Sequence, residues 1–353
     1  MEPVLAQLRD RIVAAHAAKT PLRLRGGGTK DFYGEQLNGE ILDTRAHAGI
    51  VDYEPSELVI TARCGTALSQ IDATLARHGQ FLAFEPPAFG GDPTIGGVVA
   101  AGLSGPRRMS AGAARDFVLG ASLLNARGEL LHFGGQVMKN VAGFDVSRVL
   151  CGSLGILGLI TQVSLKVLPR PRAEATLQIE CAAAVALARF NAWRAQPLPI
   201  SAATWHAGIA SVRLSGAPSA VRSARDAIGG EALDETRSEA WWRSLRDQTL
   251  PLFCQDAPRL WRLSLPATAP LDIAGADLIE WAGALRWLRS DAPAGEIRAL
   301  AERAGGTAAQ WHGERNGPMF HPLAPATLEL HRRLKNEFDP HAIFNRGRLV
   351  AEL

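Results

Sequence analysis

Hydrophobic and polar positions alternate with two periods in the first half of the chain. Spacings of three and four residues indicate amphipathic helices, and short runs rich in apolar residues indicate strands. The pattern predicts helices at about 3–18 and 66–78, and strands at 21–25, 40–43, 57–62, 115–119, 121–126, 129–133 and 159–167. The N-terminal half is therefore expected to be a mixed α and β region.

The second half repeats one arrangement of elements nearly twice. It predicts strands at 174–181, 200–206, 209–215, 260–265, 277–288 and 307–312, and helices at 182–196, 218–228, 294–304 and 325–338. A strand, a helix, two strands and a helix, followed by nearly the same series, is typical of an α+β fold with mostly antiparallel pairing.

Composition changes sharply between the two halves. Of the 35 glycines, 23 lie in the first 160 residues, whereas all eight tryptophans lie between Trp193 and Trp311. The segment 167–171, VLPRP, ends a predicted strand with two prolines, which cannot continue a ladder. We therefore expect a first domain over 1–171, a second over 172–324, and a C-terminal segment over 325–353.

Charge and cysteine usage exclude several function classes. The net charge is only +3 and no basic block is present, so nucleic acid is not an expected partner. The four cysteines form no CxxC motif, which disfavours zinc and iron–sulfur sites. The N-terminus has no signal-peptide pattern, and the apolar run 149–160 is interrupted by glycines and is shorter than the roughly 20 residues of a membrane span. We expect a cytoplasmic protein without a metal site.

Three loops are unusually rich in glycine: 22–30, LRLRGGGTK; 85–108, with six glycines and four prolines; and 152–158, GSLGILG. The first loop matches neither the P-loop nor the Rossmann pattern. No helix or strand is expected within 85–107. Glycine-rich backbone lets successive N–H groups converge on an anion, and three such loops suggest a large ligand such as a dinucleotide.

The order of these motifs resembles a known family. RGGGT, PPAFGGDPTIGGVVAAGLSGP, VMKNVAGFDVSRVLCGSLGILGLI and SLKVLPRP resemble the PCMH-type FAD-binding domain of the vanillyl-alcohol-oxidase flavoproteins, and KNEFDPHAIFNRGR resembles the closing segment of that family. The resemblance covers about 1–172 and 325–353. GLSGPRR, KNVAGFDVSR and the short length look closest to the E-type FAD-binding subunit of bacterial glycolate oxidase. Phe144 stands where the family usually has tyrosine, and Arg346 where it usually has proline.

The resemblance implies a fold and a cofactor. The expected fold is α+β, with a two-part FAD-binding domain and an α/β cap domain whose sheet is mostly antiparallel. The expected FAD is not covalently attached, because no histidine lies between His16 and His47. The residues expected to bind FAD are Arg25, Gly26, Gly27, Gly28, Thr29, Pro87, Gly90, Asp92, Thr94, Ile95, Gly96, Gly97, Gly102, Ser104, Gly152, Ser153, Gly155, Ile156, Gly158 and Ile160.

The residues that would bind the substrate are less clearly indicated by the sequence than those that would bind FAD. A 2-hydroxy acid needs an arginine to bind its carboxylate and a base to accept its hydroxyl proton. Candidates in the second domain are Arg262, Arg286, His312 and Arg315, and the segment 311–315, WHGER, is the most suggestive because it is a polar cluster near the end of a predicted strand. A solvated loop with a satisfied histidine is the simpler interpretation of that segment.

Three hypotheses for function remain open. The first is an FAD-binding subunit that oxidises glycolate to glyoxylate together with a D-type FAD subunit and an iron–sulfur subunit. The second is a self-sufficient FAD-dependent oxidoreductase for a 2-hydroxy acid or alcohol, and the third is a non-catalytic, FAD-stabilised assembly subunit. On the first hypothesis, the chain reaches the inner membrane only peripherally, through its complex.

Overall fold

The computed structural model describes residues 2–135, 145–254, 258–271 and 275–353. The chain separates into two compact units. Unit 1 comprises Met1–Leu103, Ala113–Pro169 and Pro322–Leu353, and unit 2 comprises Ser104–Gly112 and Arg170–His321. The α+β prediction is confirmed, because helices accompany sheets that are mainly antiparallel in both units.

Helices and strands alternate along both halves of the chain. As far as Pro169 they are α1 (Pro3–Ala18), β1 (Leu22–Arg25), β2 (Glu40–Asp43), β3 (Ile50–Glu54), β4 (Val59–Arg63), α2 (Leu68–Ala76), β5 (Gln80–Phe81), α3 (Ile95–Ala101), α4 (Arg108–Ala111), β6 (Val118–Leu124), β7 (Leu130–Gly134), α5 (Val146–Leu150), β8 (Leu159–Lys166) and β9 (Leu168–Pro169). Beyond it they are β10 (Ala173–Glu180), α6 (Ala183–Arg194), β11 (Ile200–His206), β12 (Ile209–Gly216), α7 (Pro218–Ile228), β13 (Glu231–Ala232), α8 (Glu235–Arg246), α9 (Pro251–Cys254), β14 (Leu260–Ser264), β15 (Leu278–Glu280), β16 (Leu285–Arg289), α10 (Ala294–Arg303), β17 (Thr307–His312) and α11 (Pro325–Phe338).

Unit 1 is built on a five-stranded antiparallel sheet and a small parallel pair. The sheet has the order β3-β4-β8-β6-β7, and β1 pairs in parallel with β2. Helix α1 has its apolar residues at helical spacing, and it buries Leu5, Leu8 and Ile12 in a core that also contains Leu22 and Phe344. This core therefore holds together the N-terminal helix, the strand that leads into the first glycine loop, and the C-terminal segment.

The long glycine and proline loop contains a helix that the sequence analysis did not expect. Helix α3 spans Ile95–Ala101 and includes Gly96 and Gly97. Glycine disfavours helix when the segment is exposed, but this one is held by tertiary packing, because Ile95, Val98 and Val99 are almost fully buried. The expectation of no regular structure within 85–107 was therefore wrong.

Two further predictions differ from the structure in detail: residues 114–117 form a 3₁₀ turn before β6, and the predicted strand 277–288 is divided into β15 and β16. Some elements, among them β3 and α8, were not predicted. The division falls at residues 281–283, where left-handed backbone turns the chain between the two antiparallel strands. Strand β3 is mostly exposed, so its apolar pattern is weak.

Unit 2 is built on an eight-stranded antiparallel sheet with the order β13-β10-β12-β11-β15-β16-β14-β17. Its cross-strand register places the core residues on one face. Helices α6, α7 and α10 pack there against the side chains of Leu177, Ala203, Val212, Leu263 and Ala308. The opposite face carries Arg262 and its cross-strand partner Trp287.

Candidate cofactor site

A cleft in unit 1 brings together parts of all three glycine-rich loops. Its empty volume is about 830 Å³, part of it open to solvent. The predicted site residues that line it are Arg25, Gly26, Gly27, Gly28, Thr29, Thr94, Gly96, Gly97, Gly155, Gly158 and Ile160. Loops that are far apart in sequence therefore converge on one site, as the sequence analysis expected.

The other predicted site residues lie outside the lining of this cleft: Pro87, Gly90, Asp92, Ile95, Gly102, Gly152, Ser153 and Ile156 in unit 1, and Ser104 in unit 2. Several of them support the cleft. The side chain of Asp92 accepts hydrogen bonds from Ser69, and the hydroxyl of Ser153 accepts one from the backbone N–H of Gly155. Gly102 approaches Gly152 so closely that an added Cβ would lie 2.9 Å from the Gly152 backbone.

The first glycine loop presents backbone N–H groups to the cleft. Strand β1 ends at Arg25, and Gly28 takes a left-handed conformation with φ of 74° that glycine adopts without strain. Within the described chain, the N–H groups of residues 26–29 donate no hydrogen bond to another residue. Consecutive amides without protein partners form a nest suited to an anion.

Thr94 provides a second indication that this cleft binds a ligand. It precedes α3 and is only 4% exposed, and its Oγ1 has no hydrogen-bond partner in the protein. A Cβ added to Gly26 would lie 2.0 Å from this Oγ1, so the glycine leaves space beside the hydroxyl. Buried hydroxyls are normally hydrogen-bonded, and a ligand oxygen in this space would satisfy Thr94.

The charge of the cleft favours an anionic ligand. Arg23, Arg25, Lys30 and Arg348 line it, against the single carboxylate of Asp31. One oxygen of Asp31 accepts hydrogen bonds from Arg23 at 2.5 Å and from Arg25 at 2.9 Å, which fixes both guanidinium groups at the start of the glycine loop. The excess of positive charge suits a diphosphate, which carries two negative charges.

The C-terminal segment completes the cleft with two residues that the sequence analysis did not assign to the site. Asn345 lines the cleft, accepts a hydrogen bond from the N–H of Leu24 at 2.8 Å and donates one to the carbonyl of Leu154 at 2.6 Å. It thereby connects the first and third glycine-rich loops. Arg348 donates to the carbonyls of residues 30, 31 and 35. The KNEFDPHAIFNRGR motif is the sequence signal that could have identified both residues.

A buried ion pair anchors this segment. Lys335 and Asp339 have side chains that are 5% and 0% exposed, with 2.8 Å between Nζ and Oδ2. Lys335 also donates to the carbonyls of Ile156 and Phe344, and Asp339 accepts from the backbone N–H groups of Ile343 and Phe344. Burial lowers the pKa of Lys335, although Asp339 opposes this shift. Every polar group in this network has a partner, as a buried charge requires.

Cys64 also lines the cleft. Burial raises the pKa of its thiol to about 12, so Cys64 is uncharged at neutral pH. Among the residues that the structure describes, no group of three or more histidines, cysteines or acids could hold a metal ion.

The four residues predicted as candidates for substrate binding all lie in unit 2, and their surroundings differ. Arg286 is fully buried and donates to the carbonyls of Ala269 and Pro270, so it supports a loop. His312 ends β17 with its ring next to Trp311, and Arg315 follows in an exposed loop. Arg262 is half-buried among three indoles. Phe144 lies outside the described residues.

Known proteins are similar to this chain over the cofactor domain and, for one relative, over nearly its whole length. A family model described as an FAD binding domain matches residues 5–134. The glycolate oxidase subunit GlcE of Escherichia coli K12 is 45% identical over 347 residues, which is 98% of this chain and 97% of the relative. The chain belongs to the family of the glycolate oxidase subunit GlcE. It is thus an FAD-linked oxidoreductase chain, and the predicted family and cofactor are confirmed.

More distant relatives match mainly in the cofactor domain. A D-lactate dehydrogenase of Archaeoglobus fulgidus is 30% identical over 172 residues, covering 47% of this chain and 37% of the relative. The glycolate oxidase subunit GlcD of Bacillus subtilis is 29% identical over 161 residues, covering 45% and 34%. The solved structure of an alkyldihydroxyacetonephosphate synthase superposes with a TM-score of 0.65 at 14% identity, over 96% of this chain and 74% of that one, which supports the fold.

The residues of the cleft fit FAD. The amides of residues 26–29 and the Thr94 hydroxyl are donors without protein partners, and the surrounding side chains are cationic. These features suit the diphosphate of FAD. No helix in the described part of the chain is long and apolar enough to cross a membrane.

Proposed function

We propose that this chain is the FAD-binding E subunit of a multi-subunit glycolate oxidase that converts glycolate to glyoxylate. The observation that supports this most directly is the 45% identity to GlcE over nearly the full length of both chains. In this reaction a C–H and an O–H bond of glycolate break and a C=O bond forms, which releases two electrons and two protons. When bound, FAD supplies the two-electron chemistry.

Within this proposal, each part of the cleft has a task. Residues 26–29, Thr94 and Gly97 hold the diphosphate of FAD through backbone and hydroxyl donors, and Arg23 and Arg25 neutralise its charge. Asn345 and Arg348 keep the loops in place. The FAD is held without a covalent bond. None of these residues is proposed to contact the reacting carbon of the substrate.

The proposed partners are a D-type FAD subunit and an iron–sulfur subunit that accepts the electrons. The similarity of this chain to GlcD of Bacillus subtilis supports two related flavin subunits, and the sequence contains no CxxC motif for a cluster of its own. We also propose that the chain is cytoplasmic and reaches the inner membrane only through this complex.

The test is reconstitution with the two partner subunits. Glycolate-dependent reduction of an artificial electron acceptor is measured for the chain alone, for the D-type and iron–sulfur subunits without it, and for all three together, with flavin and iron counted per chain. We expect turnover only with all three. Turnover by the isolated chain equal to that of the complex would favour a self-sufficient oxidoreductase instead.

A second measurement separates a catalytic subunit from an assembly subunit. The D-type subunit is prepared in a flavin-free variant, assembled with this chain, and mixed anaerobically with glycolate. Bleaching of the flavin bound to this chain is the expected result for the proposed function. A complex that turns over glycolate normally when this chain has lost its FAD would identify the chain as an assembly subunit.

A further inference from the structure

The C-terminal turn that contains Asn345 is held by hydrogen bonds to its carbonyl groups. Residues 341–346 follow α11 and form no helix or strand of their own. The carbonyls of residues 343, 344 and 345 accept from the N–H of Leu22, from Lys335 Nζ and from the N–H of Arg348, respectively. The carbonyls of residues 341 and 342 accept from the side chain of Arg346. One side chain thus bonds both carbonyls at the start of the turn.

Arg346 uses its guanidinium group within its own turn. Its Nε donates to the carbonyl of Ala342 at 2.9 Å, and its Nη2 donates to the carbonyl of His341 at 3.1 Å. The side chain is half-buried, and no carboxylate in the described part of the chain pairs with it. Besides burial, which is the larger cause, the charge of Arg346 lowers the pKa of Lys335. A cation near another cation is unfavourable unless its own bonds compensate, and the two carbonyls provide those bonds.

Two residues of this turn that carry a Cβ adopt left-handed backbone. The φ values are 47° for Ala342 and 41° for Asn345. Alanine rarely adopts this conformation, because its Cβ lies too close to the following carbonyl oxygen. Such backbone persists where the surrounding bonds impose it. Arg346 bonds the carbonyl of Ala342 itself, so its side chain contributes directly to holding that residue in the left-handed region.

The position of Asn345 depends on this turn. Its Oδ1 accepts from the N–H of Leu24 at 2.8 Å, and its Nδ2 donates to the carbonyl of Leu154 at 2.6 Å. The fit is close, since a Cβ added at Gly155 would lie 2.8 Å from Nδ2. Rotation of the backbone at Asn345 would therefore break contacts with two glycine-rich loops at once. Arg346 does not line the cleft, so its effect on a ligand there has to pass through another residue.

We propose that Arg346 is a positioning residue for FAD binding. By bonding the carbonyls of His341 and Ala342, it fixes the turn in which Asn345 connects the first and third glycine-rich loops. This inference rests on the proposed function only in that FAD occupies the cleft, and it holds for any substrate. Its consequence is that Arg346 and Asn345 act on FAD as one unit.

The test is titration of the full-length apoprotein with FAD, followed by flavin fluorescence. Arg346→Met keeps the length of the side chain but removes both donors and the charge. We expect a dissociation constant for FAD that is about 3- to 10-fold higher, because loss of the turn cannot cost more than the contacts of Asn345 that it positions. Arg332→Met makes the same change on the exposed side of α11 and should stay within about twofold of wild type.

The melting temperature separates positioning from a purely structural role. Arg346→Met should bind FAD more weakly at temperatures where circular dichroism shows a folded chain. A lower melting temperature with an unchanged dissociation constant would overturn the inference, because Arg346 would then support only the fold.

A double-mutant cycle tests whether Arg346 acts through Asn345. In the Asn345→Ala background, Arg346→Met should change the dissociation constant by less than about twofold, because the side chain to be positioned is absent. If the two substitutions instead multiply their separate effects, Arg346 reaches the cofactor by another route and the inference is wrong.

A conservative substitution and salt distinguish hydrogen bonding from charge. Arg346→Lys keeps the charge but lacks the planar pair of donors, so it should restore only part of the affinity lost in Arg346→Met. It also provides the measurement if Arg346→Met does not fold. The loss in Arg346→Met should persist at about 0.5 M salt, where interactions between distant charges are screened. Full affinity in Arg346→Lys, or a loss that disappears in salt, would show that only the charge matters.

The wild-type chain in the same titration distinguishes this inference from the proposed function. Absence of FAD binding by the wild type would refute the cofactor assignment, and the proposed function with it. Tight binding by the wild type and equally tight binding by Arg346→Met would overturn only the role of Arg346.

Discussion

Gly26→Ala is the most direct perturbation of the cofactor site. The added methyl group would lie 2.0 Å from Thr94 Oγ1 and 3.2 Å from Thr94 Cβ, and it would occupy the space beside the only hydrogen-bonding group of that side chain. Thr94 is 4% exposed and packed at the start of α3, so it has little room to move. Either the loop shifts, or Thr94 rotates its hydroxyl away from the ligand.

The expected loss of FAD affinity follows from these two outcomes. Forcing one carbon into a packed site costs about 1–3 kcal/mol. Rotation of Thr94 would instead remove a hydrogen bond to a charged oxygen, which contributes about 1.5–3 kcal/mol. Because the chain relaxes by whichever of these two routes is less unfavourable, we expect a loss of binding free energy of about 1–3 kcal/mol. This corresponds to a dissociation constant for FAD that is about 5- to 150-fold higher.

The assay is titration of the apoprotein with FAD, followed by quenching of flavin fluorescence, with circular dichroism and the melting temperature as checks on folding. Gly295→Ala is the matched control. Gly295 lies in helix α10 of unit 2, where an added Cβ would meet nothing within 4 Å. This control should bind FAD normally and be slightly more stable, by less than about 1 kcal/mol, because alanine favours helix.

A double-mutant cycle identifies the contact responsible. Thr94→Ala alone should weaken FAD binding, but it also removes the oxygen that the new methyl group would meet. Gly26→Ala should therefore lose at least half of its effect in the Thr94→Ala background. If the two effects add within about 0.5 kcal/mol, or if Gly26→Ala binds FAD within threefold of wild type, the assignment of this space to the cofactor is wrong.

Further predictions concern the C-terminal segment, pH and the cofactor linkage. Lys335→Met leaves Asp339 buried without its cation and should destabilise the chain by about 3–5 kcal/mol, whereas Arg333→Met, on the exposed face of the same helix, should change stability by less than about 0.5 kcal/mol in denaturant unfolding. Asn345→Ala should raise the dissociation constant for FAD about tenfold, because two loops of the cleft lose a shared side chain; an unchanged constant would contradict this role. Burial lowers the pKa of His47, so the imidazole takes up a proton at higher pH in the unfolded chain than in the folded chain. The free energy of unfolding should therefore decrease as the pH decreases below about 6.5. A His47→Gln variant whose stability has the same pH dependence as the wild type would refute this cause. Acid or heat should release free FAD from the purified protein, and flavin retained by the denatured chain would instead indicate a covalent bond.

Much of the cofactor site was determined by the sequence itself. A run such as RGGGT after a strand determines a loop whose amides can converge, because glycines 26–28 have no Cβ to obstruct an anion. Eleven of the residues predicted from such loops line the cleft.

Only the tertiary structure decided the remaining features. Helix α3 forms despite Gly96 and Gly97, because burial of its apolar residues compensates for their low helix propensity. The role of Asn345 depends on contacts between residues that are 321 and 191 positions apart, which no local pattern encodes. Arg262 on β14 and Arg286 on β16 lie on opposite faces of the same sheet, and the pairing of these two strands decides which face each side chain occupies. The sequence indicates local chemistry, such as glycine-rich loops, whereas contacts between residues far apart in the chain form only when the chain has folded.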